Sequence, residues 1–134
     1  MDFSKEDKDC LLNNLNVIST DYKEFLGGDL KSIQELGTLL LDQDISISEM
    51  ILNQNRHYLL KEENSRIIVF YSFLKMLGKE RLNQLNFVLL AKETGLKLGL
   101  NSIGVAQLVF KIRQDGFSAV RVRKIVKLFK VYNN

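Results

Sequence analysis

The chain has 134 residues, 46% hydrophobic and 26% charged, with a net charge of +3. That length suits a single domain, and so much Leu, Ile, Val and Phe excludes disorder because it buries enough surface to offset ordering entropy. With no proline, one cysteine and no run of about 20 apolar residues, the composition favours short-turned helices and excludes an internal disulfide and a membrane span.

The opening stretch, Met1 to Asp7, is charged and has no apolar segment, so no signal peptide is expected. Ser4 can cap a helix over 5–18 that carries Leu11, Leu12, Leu15 and Ile18 at helical spacing beside Cys10. Asp21 and Glu24 can cap a short second helix, which Gly27-Gly28 ends by accepting the left-handed conformation. Asp29 can cap a third over 30–41, with Leu30, Ile33, Leu36, Gly37 and Leu40 on one stripe. Ser46-Ile47-Ser48-Glu49 is a capping box, with Ile45 and Met50 at the staple positions, and predicts a helix over 47–62.

Residues 65–77 suit a buried strand by propensity, through Ile67 to Tyr71. The spacing of Phe70, Phe73, Leu74 and Leu77 favours a buried helix instead, stopped by Gly78. A helix over 79–94 follows, directing Leu82, Leu85, Asn86, Leu89 and Leu90 to the core and ending at Gly95. Ser102 starts a helix over 102–114 that is apolar nearly all round, hence central. After the turn Asp115-Gly116-Phe117, Ser118 caps a last helix over 119–132. The fold expected is all-α, a compact single domain of six or seven helices; the alternative is α+β, with a small strand pair from 65–77 and 102–114.

Charge is unevenly spread. Residues 111–134 hold seven cations against Asp115 alone, a net +6, while the preceding 110 residues hold 12 basic and 15 acidic side chains, a net −3. In the last helix Ala119, Val122, Ile125, Val126, Leu128, Phe129 and Tyr132 share one arc, and Arg123, Lys124, Lys127 and Lys130 the opposite one, with Arg121 apart. Lys111 and Arg113 on the preceding helix complete a candidate phosphate-binding set, since a row of cations releases counterions from nucleic acid. The same charges also suit a solvated helix face, an anionic membrane or an acidic protein. A helix-turn-helix pattern fits imperfectly in two registers. Ala91 and Gly95 carry the first, where the turn runs long from Gly95 to Asn101; Gly116-Phe117 with Val122 and Ile125 carries the second, where bulky Ile112 stands at a position that favours a small residue.

Nothing in the sequence points to catalysis. His57 has no second histidine nearby to build a zinc site, and Cys10, beside Asp7 and Asp9, has no activated setting. The pairs Asp42/Asp44 and Glu62/Glu63 suit solvated helix ends, and Gly27-Gly28 lacks the rest of a phosphate loop. No catalytic residue, metal or cofactor is expected. The leading expectation is a cytoplasmic, non-enzymatic nucleic-acid-binding regulator in which the rest of the chain supplies dimerisation or effector response. The alternative is a protein-interaction module: an adaptor, small chaperone or inhibitor.

Overall fold

The first helix, α1 (Lys8–Leu26), runs on past residue 18 through the expected second helix because its apolar stripe never breaks. Leu11, Leu15, Ile18 and Tyr22 fall four, three and four residues apart, and all are buried. Asp21 lies within this stripe. It is not the cap of a second helix but a fully buried carboxylate inside α1. The helix stops where expected, at Gly27, whose φ of +65° turns the chain so that Gly27 N–H reaches the Lys23 carbonyl and Gly28 N–H the Tyr22 carbonyl.

The computed structural model describes residues 8–52, 59–78, 84–117 and 121–132. Among these are seven helices and no strand, an all-α bundle whose buried side chains form one hydrophobic cluster. Helix α2 (Leu30–Leu41) begins at Asp29, whose carboxylate accepts from the Ser32 amide at 2.9 Å and the Ser32 hydroxyl at 2.7 Å. Helix α3 (Ile47–Leu52) begins with the expected box, Ser46 Oγ accepting from the Glu49 amide at 3.1 Å, and Ile45 and Met50 are buried around it. The Glu49 carboxylate also pairs with Lys8 at 3.0 Å, which together with Ser46 holds it below the usual carboxylate range. The helix expected over 47–62 does not reach residue 62. Residues 53–58 lie outside the described residues, 59–62 are non-helical, and Glu62 is already the N-cap of the next helix.

Helix α4 (Glu63–Leu77) resolves the helix-or-strand ambiguity at 65–77 in favour of the helix, with Ile67, Phe70, Phe73 and Leu74 wholly buried. Helix α5 (Leu85–Lys97) packs most extensively against α1. It departs from expectation in start, end and face: Gln84 is its N-cap, and Leu82, expected in the core, lies outside the described residues. It runs through Gly95 to Lys97, because Gly95 is spent on packing against Val105 and the stop falls to Gly99, at φ +75°. Arg66 of α4 donates to the carbonyls of Leu98 and Gly99, and a side chain on Gly99 would strike that guanidinium. The core face carries Phe87, Leu90, Ala91 and Thr94, whereas Leu85, Asn86 and Leu89, expected inside, are exposed. Polar anchors choose that face. Thr94 Oγ1 and Lys97 Nζ donate to the buried Asp21 carboxylate at 2.8 and 2.6 Å, which turns Leu85 and Leu89 away from α1.

Helix α6 starts at Ser102 as expected (Ser102–Asp115), and Asn101 caps it, the Asn101 side chain accepting from the amides of Ile103 and Gly104. It is not buried all round. Gly104, Val105, Leu108, Val109 and Ile112 face inward, but Ile103 and Phe110 are exposed. Helix α7 (Val122–Tyr132) starts later than the 119 expected, and the proposed cap Ser118, like Ser4, lies outside the described residues. A T-shaped Tyr22–Phe73 pair, centroids 5.8 Å apart, joins α1 to α4.

Removing the Asp21 carboxylate in Asp21→Ala leaves Thr94 and Lys97 without their shared acceptor; urea unfolding should show a loss of about 2–3 kcal/mol. Stability should also fall in alkali. Asp21 raises the Lys97 pKa above 10.5, and burial raises that of Tyr71 above 10.0. Both groups hold protons more firmly folded than unfolded, so their contribution is complete below these values and lost as pH climbs through the folded pKa values. A urea midpoint that stays level past pH 10.5 would contradict this assignment.

Candidate nucleic-acid interface

The sequence of α7 divides into an anchor and a display face. Ile125 and Phe129, four residues apart, are buried, and Val126 and Leu128 are half-buried beside them. The Phe129 ring lies so close to α6 that a Cβ on Gly104 would come within 2.5 Å of it. Glycine at 104 therefore lets α7 seat against α6. The apolar arc is narrower than the sequence suggests: Val122 remains exposed, Ala119 lies outside the described residues, and the Tyr132 side chain is likewise not described.

The cations take the remaining surface. At about 100° per residue, Arg123, Lys127 and Lys130 fall within an arc of about 60° on the side turned away from the anchor. All three are exposed. Lys124, expected in the same row, stands about 100° from Arg123 on a flank it shares with Val131. Arg121 precedes the helix and is exposed; its carbonyl accepts from the Lys124 and Ile125 amides. The display face is thus three aligned cations with two more at its margins.

The two α6 residues separate. Lys111 is seven residues from Gly104, nearly two full turns, so it lies on the edge that meets α7. Arg113 is nine residues away, half a turn round. It lines a groove between α5 and α6 with Val88, Lys92 and Phe110. Lys111 therefore extends the α7 surface, whereas Arg113 belongs with Lys92, which the charge count of the tail could not reveal. Among the described residues the ion pairs are Lys8–Glu49, Lys97–Asp21 and Lys97–Glu93; none involves Lys111, Arg113, Arg121, Arg123, Lys124, Lys127 or Lys130.

In the first helix-turn-helix register the connection is shorter than the sequence suggests. Because α5 continues to Lys97, its connection to α6 is the four residues 98–101, not the longer stretch from Gly95. Ala91 and Gly95 are both buried. In the second register Ile112 is buried, and the connection contains residues 118–120, outside those described.

The other chemistry-bearing residues are dispersed. Cys10 is half-buried against the core; His57 lies outside the described residues. Asp42 is the left-handed C-cap of α2 at φ 54°, Asp44 is exposed, and Glu62 and Glu63 open α4. Among the described residues no three His, Cys, Asp or Glu side chains gather as metal ligands, and no helix is long and apolar enough to cross a membrane.

No protein-family model matches the chain, and comparison with curated proteins and with solved structures finds no match either.

The seating of α7 is testable through Gly104. Gly104→Ala places a methyl where the Phe129 ring sits, so stability should fall by about 1–3 kcal/mol, net of what helix propensity returns. Hydrogen exchange of α7 amides should accelerate more than that of α1. Uniform acceleration throughout the chain would mean that α7 is not separately seated.

Proposed function

We propose that this chain is a non-enzymatic nucleic-acid-binding regulator that grips phosphates with the outer face of α7. One observation carries the reading: Arg123, Lys127 and Lys130 are exposed, aligned and free of ion pairs among the described residues, on a helix pinned by Ile125 and Phe129. A solvated surface in a chain with this many carboxylates tends to interleave its charges. Here no described carboxylate forms an ion pair with the cationic face.

The chemistry is electrostatic. Each ammonium or guanidinium that neutralises a phosphate releases a condensed counterion, and the entropy of that release supplies affinity without reading sequence. Arg121, Lys124 and Lys111 widen the contact at its edges. Arg123 adds a planar fork suited to two phosphate oxygens, while the lysines act as mobile point charges. The lone Cys10 fits work in the reducing cytoplasm.

The test is fluorescence anisotropy of the purified chain with a labelled random DNA duplex and with single-stranded RNA across a salt series. Affinity should lie near 10⁻⁴–10⁻⁶ M and fall steeply with salt. The quadruple variant Arg123→Ala, Lys124→Ala, Lys127→Ala, Lys130→Ala should lower the log–log salt slope on duplex DNA by about 3–4. No binding at low salt, or a variant with unchanged slope, would overturn the proposal and favour the protein-interaction reading.

A further inference from the structure

We propose that the outward face of α5 is a dimerisation seam that packs antiparallel against α5 of a second copy of this chain. This inference is independent of nucleic-acid binding. The residues turned away from α1 are Leu85, Leu89, Lys92 and Leu96, spaced four, three and four apart. That is the seam of a heptad coiled coil, which places one residue over the next along a single line facing a partner helix. The three leucines are 72, 44 and 54% exposed. Ile103 and Phe110 of α6 broaden the apolar surface on the same side, at 53 and 61%. Leu96 and Ile103 line one end of the α5–α6 groove, and Phe110 and Val88 the other. Five of the chain's large exposed hydrophobic side chains are therefore gathered on two adjacent helices, whereas lone exposed apolar residues would be scattered.

The charges on α5 choose both the partner and its direction. In a parallel pair, equivalent positions meet, so Lys92 would face its own copy and bring two ammonium groups together in the seam. In an antiparallel pair with its two-fold axis between residues 90 and 91, Leu85 meets the partner's Leu96, and Lys92 lies over the partner's Leu89. The lysine stem covers that leucine while its ammonium reaches the rim. The flanks agree. On one side, Glu93 of each copy faces Asn86 of the other, a carboxylate opposite an amide donor. The other flank, Val88 and Gly95, is turned toward α6, where Gly95 packs against Val105, so it brings no charge to the seam. No like charges oppose one another at these seam and flank positions. An acidic foreign helix would satisfy Lys92 and Arg113 but meet Glu93 with like charge, so the second copy is the better fit.

The experiment uses the full chain. Sedimentation equilibrium should show a dimer with Kd of about 1–50 µM, the weak end for a modest interface. Leu89→Asp and Leu96→Asp should each shift the chain to monomer at the same concentration, with unchanged helical circular dichroism because both sites are solvent-facing. In a Cys10→Ser background, Leu85→Cys mixed with Leu96→Cys should form a disulfide between copies, and Leu85→Cys alone should not. A wild-type chain that stays monomeric through about 200 µM overturns the proposal. So does a dimer that survives both aspartates, since its interface then lies elsewhere. Crosslinking of Leu85→Cys to itself overturns the antiparallel arrangement.

Discussion

A carboxylate buried in the middle of α1 sets the geometry of the rest. Asp21 has no exposed surface, so its charge must be met inside the protein, and it is met by Thr94 and Lys97 of α5. Two donors three residues apart on one helix fix both rotation and axial register, which leucines alone leave loosely specified. Hydrophobic burial brings α5 onto α1, but the carboxylate decides which face arrives. The consequence runs outward. α5 seats α6 through Gly95 against Val105, and α6 seats α7 through Gly104 against Phe129. The orientation of the cationic helix thus descends, one close contact at a time, from a single acidic group.

The same constraint creates the exposed side of α5. Once Thr94 and Lys97 point at α1, residues half a turn away must point to solvent, and these include Leu85 and Leu89. Three large apolar residues outside are the consequence of one polar group inside. The Arg66 guanidinium plays the corresponding role at the turn. By donating to the Leu98 and Gly99 carbonyls, it satisfies groups that the end of α5 leaves open and ties the α5–α6 connection to α4. Polar contacts of high sequence separation therefore choose among packings that apolar contacts permit.

Local signals in the sequence were legible where the physics is local. Asp29 and Ser46 cap the helices they precede, Gly27 ends the one before it, and the spacing through Phe70, Phe73 and Leu77 identifies α4 as a helix despite its β-branched start. The failures share one cause, a residue whose role depends on a distant partner. Asp21 resembles a cap until Thr94, 73 residues on, is seen to donate to it. Gly95 resembles a stop until Val105 is seen to need its missing side chain, and Leu89 resembles core because leucine usually is. Composition likewise located the cationic tail without dividing it. Lys111 and Arg113 are neighbours in sequence but stand most of half a turn apart around α6, so one borders α7 and the other the groove against α5.

The proposed nucleic-acid binding through α7 and the proposed pairing through α5 would reinforce each other on physical grounds. A face of three aligned cations can make few phosphate contacts, so under the proposed function each copy alone would hold nucleic acid weakly and release it readily as salt rises. Two such faces carried on one dimer convert the second contact into an intramolecular event, and avidity then exceeds what either helix supplies. The cost falls on the seam. A net-positive chain pairing with itself brings like charge together, which is tolerable only where the facing surfaces are locally neutral. The seam meets that condition, since Lys92 is offset by Glu93 on the next position of the same helix, and the strongly basic residues lie on α7. Phosphates would then screen the remaining repulsion between copies. Binding nucleic acid should accordingly tighten the dimer, and by thermodynamic reciprocity dimerisation should tighten binding by the same factor.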